Sequence, residues 1–153
     1  MEVGLGCNWS GGVAGRPIIG QVFTSTVAGG GYGGERFGEL FVPIARELLR
    51  AAYLGTLLSA VSAGRRAVVL TLIGGGVFGN PIPEIWDAIG WAMAEVEGVL
   101  SGDLDVFVNG RDLGRRLPQR VILEGVERRG GAMIAFDRES RASIVRGGVG
   151  ASA

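Results

Sequence analysis

The stretch RAVVLTLIGGGVFGNPIPEIWDAIGWAMAEV, Arg66–Val96, decides the fold. Ala67–Ile73 is a nearly continuous apolar run rich in β-branched residues, the pattern of a strand covered on both faces in a parallel sheet. After the glycine turn, Ile82, Ile85, Trp86, Ile89, Met93, Val96 and Leu100 recur at helical spacing and predict a helix reaching about Leu100. Between them, Gly74, Gly75, Gly76 and Gly79 stand within six residues, followed by Asn80 and Pro81. Such a turn, leaving the carboxyl end of a strand and entering a helix, lets main-chain N–H groups face one concavity that the helix dipole makes attractive to anions. Phosphate is the expected guest. The structural alternative is a tight connection that uses Val77 and Phe78 as core plugs.

Upstream, Leu40, Phe41, Ile44, Leu48, Leu58 and Val61 predict a helix from about Pro43 to Ala63. Gly64, Arg65 and Arg66 suit its carboxyl end. Leu104–Val108 reads as a further strand, Val3–Cys7 and Ile18–Thr26 as two early ones, and Asn8–Gly15 as a flexible turn. The order strand, helix, strand, helix, strand predicts an α/β fold with a mainly parallel, mixed sheet flanked by helices. Ala28–Gly34 is a loop with too little side-chain surface to order unaided. Beyond residue 110 the composition changes, and 111–153 reads as an appended hairpin or loosely held arginine-rich tail ending in disorder over 147–153.

The 153 residues suit one moderate core. No apolar run approaches the roughly 20 residues of a membrane span, and the first residues lack a secretory pattern, so the cytoplasm is the default compartment. Fifteen acids balance fifteen bases. That neutrality gives no reason to expect nucleic acid, and the acids interspersed in the tail (Glu124, Glu127, Asp137, Glu139) favour a solvated surface. Every base is arginine. Without lysine or histidine the chain has no Ser-His-Asp triad, histidine zinc site, Schiff-base lysine or Walker lysine. The lone Cys7 reads as a small apolar residue near a strand, Trp86 and Trp91 as one core and one partly exposed ring, and Trp9 is ambiguous. No cofactor and no metal are expected.

From about Ala45 to Val108, with AVVLTLIGGGVFGNP at its centre, the chain resembles the second half of macro domains, which bind ADP-ribose and related nucleotides. The family's turn reads Ser/Thr-x-Gly-hydrophobic-aromatic-Gly-aromatic-Pro. Gly76, Val77, Phe78, Gly79 and Pro81 match it, while Gly74 replaces the Ser/Thr and Asn80 the second aromatic. The family's upstream Asn-Ala-Ala-Asn signature is absent, and TSTVAGGGYGG is a positional counterpart. The resemblance implies that Gly74, Gly75, Gly76, Val77, Phe78 and Gly79 hold a diphosphate, with Phe78 against the distal ribose. It places Asn80, Thr26, Gly30, Gly31, Tyr32 and Asn109 around the nucleotide, Asn109 towards adenine. The chain also looks like the C-terminal portion of longer macro-like proteins, which implies that an upstream segment or a second chain completes the pocket. Three functions follow: binding of an ADP-ribose-like nucleotide, ADP-ribosyl hydrolysis by a water that the substrate positions, or a ligand-free interaction domain. No general base is identifiable, Glu35 being the acid nearest a loop.

Overall fold

The structure, a computed structural model, describes residues 1–8, 11–29, 31–100, 102–110 and 113–145. Trp9, Gly30 and the 147–153 tail, all singled out in the sequence, lie outside the described residues, as do Arg111 and Arg146 of the arginine-rich segment. The fold is mixed α/β, and the chain divides into two compact units, Met1–Asn109 and Gly110–Ala153. No described helix is long and apolar enough to cross a membrane.

The first unit is built on two packed helices, α1 (Phe41–Ser62) and α2 (Ile82–Glu97). On α1 the buried residues Ala45, Leu49, Ala52, Tyr53, Leu57 and Ala60 form one stripe. Ile82, Ile85, Ala88, Ile89, Ala92 and Val96 do the same on α2. Alanines on both stripes let the backbones approach, and the larger residues fill the seam. Arg46 of α1 joins Glu84 of α2 through two hydrogen bonds, Nε to Oε2 at 2.7 Å and Nη2 to Oε1 at 3.0 Å. Arg50 lies 5.2 Å over the Trp91 ring, and Trp86 and Trp91 are both half-buried. Pro43 and Pro83 fall in the first turns of their helices, where no intrahelical N–H is lost. The end of α1 is closed by Gly64 at φ +63°, with Gly64 N–H bonding Val61 O and Arg65 N–H bonding Ala60 O. That is the two-bond cap a left-handed residue permits.

Strand β1 (Glu2–Gly4) pairs antiparallel with β4 (Ile18–Gly20), and β2 (Cys7–Asn8) with β3 (Gly11–Gly12). Cys7 is exposed. Strands β5 (Ala67–Thr71) and β6 (Asp105–Asn109) pair in parallel, Ala67 opposite Asp105 and Thr71 opposite Asn109. Each sheet among the described residues has two strands, so the parallel part is this one pair, not the larger sheet that the element order predicts. The long second strand predicted over Ile18–Thr26 stops at Gly20, because β1 offers only three partners. From Val22 onward no strand among the described residues takes its ladder bonds, and β-branched composition alone does not make a strand. The face of β5 and β6 carrying Val69 and Phe107 is exposed.

In the second unit a one-turn helix α3 (Leu113–Arg116) and α4 (Gln119–Glu127) precede a hairpin of β7 (Met133–Phe136) and β8 (Ala142–Val145). Leu113, Leu117, Ile122 and Leu123 are buried, and α4 packs on β7.

Tyr53 couples the helices to the sheet. Its side chain is wholly buried, its hydroxyl donates to Thr71 O at 2.8 Å, and it accepts from Ile73 N–H at 2.9 Å. Burial pushes its phenol up to about 12 from 10.0. The folded state therefore favours the protonated phenol, and this contribution to stability is whole below pH 10.0 and is lost as pH rises towards about 12. In Tyr53→Phe, unfolding by urea should show a loss of about 1–3 kcal/mol at neutral pH and a flatter fall in stability at alkaline pH than wild type. Leu49→Ala should cost about 2–5 kcal/mol in the same measurement, whereas Leu48→Ala, at a position 42% exposed, should cost much less.

Candidate functional site

The turn after β5 leaves Thr71, bends at Gly74, and enters α2 through Pro81. Gly74 adopts φ +70°, and a Cβ there would collide with the Asn80 carboxamide and with Thr26 Cγ2. A Cβ on Gly75 would meet Ile82 Cδ1 at 2.8 Å and Ile85 Cδ1 at 3.0 Å, so this residue is the floor on which the turn rests against α2. Gly79 takes φ +68° and its N–H bonds Gly76 O at 3.1 Å. Gly76 differs: nothing lies within 4 Å of where its Cβ would stand, and its φ is not left-handed. The fold thus accounts for the other glycines of the turn and not for this one.

Asn80 was expected on the ligand side; the structure makes it the internal clamp. It is 1% exposed. Its amide nitrogen donates to Val27 O at 2.9 Å and to Gly74 O at 3.3 Å, and its Oδ1 accepts from the Thr26 hydroxyl at 3.4 Å. Asn80 N–H also bonds Gly74 O. One side chain therefore ties the Thr26–Gly29 segment to the glycine turn. Thr26 serves this clamp and is half-buried. The only sequence signal was a polar residue at a motif position that is usually aromatic.

A second tie brings the two loops edge to edge. Gly29 N–H donates to Phe78 O at 2.7 Å. Gly29 and Gly34 are buried, Gly29 against the Phe41 ring and Gly34 against Gly29 itself, so close that neither could carry a Cβ. The aid that this glycine loop needs to order comes from Phe41 and Phe78. Tyr32 and Phe78 then meet edge-on, ring centres 5.6 Å apart, with Tyr32 62% and Phe78 40% exposed. Val77 and Phe78 are thus on the surface and are not core plugs. Gly31 is exposed at φ +92°. Asn109 is exposed at the carboxyl end of β6, in register with Thr71 just ahead of the turn.

Among the described residues, the N–H groups of Gly76, Val77 and Phe78 donate no hydrogen bond. All three residues are exposed. Glu84, in the first turn of α2, is held by Arg46: the hydrogen bond and charge of the guanidinium keep its carboxyl below the usual range. Asp87 remains exposed on the same helix. Arg65 pairs with Glu2 at the opposite end of β5. A cleft of about 140 Å³ lies between Val22, Thr24 and Tyr53 and the edge of β5. That is smaller than the roughly 300 Å³ at which ligand pockets begin, and its tyrosine is already committed to Thr71 and Ile73. Gly76 to Gly79 of the turn are exposed. No cluster of three or more metal-binding side chains occurs among the described residues.

Because the Asn80 side chain occupies the space a Cβ on residue 74 would need, the two positions should be coupled. Gly74→Ala and Asn80→Ala should each lower unfolding free energy by about 1–3 kcal/mol in urea titrations. The double variant should lose less than their sum by at least about 0.5 kcal/mol. Gly76→Ala should change stability by no more than about 0.5 kcal/mol. Compared with known families, curated proteins and solved structures, the chain matches none of them.

Proposed function

We propose that residues 1–109 form a macro-like nucleotide-binding unit that holds ADP-ribose, or a related nucleotide diphosphate, along the Gly74–Pro81 turn and the adjoining Gly29–Tyr32 loop. One observation carries this: three successive exposed residues, Gly76, Val77 and Phe78, keep N–H groups that donate to nothing among the described residues, ahead of the α2 amino terminus. Amides in such a turn supply phosphate donors without a cation, and a helix dipole adds to their pull. The openness at Gly76 lets a phosphate oxygen approach the backbone, which a side chain there would prevent. Tyr32 and Phe78 offer two exposed ring surfaces beside the amides for a ribose, and Asn109 is the polar group at the end of β6 for the base. In this proposal the wall that encloses the nucleotide comes from an upstream segment or a second chain. Selectivity then depends on amide geometry and ring contact, with little help from charge.

Titration calorimetry with ADP-ribose, and with ADP and inorganic phosphate as comparisons, tests the proposal. Saturable binding that prefers ADP-ribose is expected. Gly76→Val should weaken it at least about tenfold, roughly 1.4 kcal/mol, while the urea midpoint stays near wild type. Unchanged affinity in a folded Gly76→Val variant would remove the turn from the site.

A further inference from the structure

Helix α1 carries two apolar stripes, and the fold buries one of them. The buried stripe runs from Ala45 to Ala60. The second, Ile44, Leu48, Ala51, Gly55, Leu58 and Ser62, recurs at alternate steps of four and three residues, the rhythm of a helix–helix seam. Leu48 and Leu58, two of the residues by which the sequence announces this helix, are each 42% exposed. Ala51, Gly55 and Ser62 are exposed, and Ile44 is half-buried.

From Ala51 to Ser62 the helix has no charged side chain. Its hydroxyls are turned back on the helix backbone, Thr56 to Ala52 O and Ser59 to Gly55 O, each at 2.7 Å, so both lose little when water is removed. A helix that is apolar on both sides is ordinarily a covered one. Gly55 sharpens the point. Glycine weakens a helix interior relative to alanine, and nothing lies within 4 Å of where its Cβ would stand, so packing among the described residues does not require it. The missing side chain lets a second helix approach closely at that level.

The stripe is also self-complementary. Ile44, Leu48 and Ala51 stand nine, five and two residues before position 53, and Gly55, Leu58 and Ser62 stand two, five and nine after it. A two-fold axis at that level sets Leu48 beside Leu58 of the partner subunit and Ala51 beside Gly55 of the partner subunit, the reciprocal pairing that an isologous interface requires. The ends match in charge. Glu39 and Arg66, fourteen before and thirteen after the same centre, are exposed and enter no ion pair among the described residues. An antiparallel pair brings the end that carries one to the end that carries the other, with the helix dipoles opposed.

We infer that the outer face of α1 is an interface between two copies of the chain, packed antiparallel about the level of Tyr53. The stripe is about 27 Å long and one helix wide, which makes the contact a small one and sets its dissociation constant in the micromolar range. The inference is independent of the nucleotide site, which uses the turn after β5.

Sedimentation equilibrium of the full chain at about 10 and about 200 μM tests it, and the mass should rise from one chain towards two across that range. Leu58→Glu should raise the dissociation constant at least about tenfold, because it buries an unpaired charge against Leu48 of the partner subunit. Leu48→Arg combined with Leu58→Glu should dimerise more tightly than Leu58→Glu alone, since the antiparallel register places the two substituted positions side by side with opposite charge. Gly55→Leu should act in two directions: a better helix former raises the urea midpoint of the dilute monomer, while its bulk weakens the dimer. A single-chain mass at about 200 μM, a dimer unchanged by Leu58→Glu and by Gly55→Leu, or a double variant no tighter than Leu58→Glu would overturn the inference. So would a lowered urea midpoint for dilute Leu58→Glu with a single-chain mass throughout, since the face would then be covered within the chain. Binding of a monomeric chain to phosphatidylglycerol vesicles, lost in Leu58→Glu, would assign the face to a lipid surface and overturn the inference as well.

Discussion

The candidate site depends on a single buried carboxamide. Asn80 reaches Val27 O and Gly74 O with its nitrogen and the Thr26 hydroxyl with its oxygen, so segments more than fifty residues apart in sequence are held in one register. A group so deeply buried would cost about 1–3 kcal/mol if its partners were lost, and here its donors and acceptor are matched. With Thr26 and Val27 fixed, Gly29 arrives where its N–H meets Phe78 O, and Tyr32 follows to the edge of the Phe78 ring.

The clamp holds because its neighbours are rigid. Tyr53 grips the chain on either side of Leu72, at Thr71 O and Ile73 N–H, so β5 delivers the turn from a fixed point. Gly75 seats the turn on Ile82 and Ile85, and those residues belong to the helix seam that α1 and α2 share. The Arg46–Glu84 pair fastens that seam at the α2 end nearest the turn while compensating the charge of an acid in the first turn of α2. One ion pair thereby serves packing and electrostatics together.

Elements set by strong periodicity were legible in the sequence. The apolar stripes of α1 and α2 and the apolar run of β5 appear within a few residues of their expected bounds, as does β6. Each signal resides within the element itself. The segment after Gly20 has strand composition but forms no strand, because strand formation needs a partner and the sequence does not state which partner is present. Likewise Asn80 looked like a weakened motif position, since its value lies in contacts with Thr26 and Val27 that no local spacing encodes.

Positions 74 and 80 of the turn are physically coupled. A serine or threonine at position 74 would place its Cβ where the Asn80 carboxamide lies, and the φ of +70° would strain it as well. Conversely, an aromatic ring at position 80 would not make the three bonds that tie Thr26 and Val27 to Gly74. Glycine at 74 and asparagine at 80 are thus a matched pair that stabilises the inner side of the turn while leaving Gly76 to Phe78 exposed. The inner residues answer to the fold. Gly76, whose missing side chain the fold does not require, is the position at which the proposed binding can be tested apart from packing.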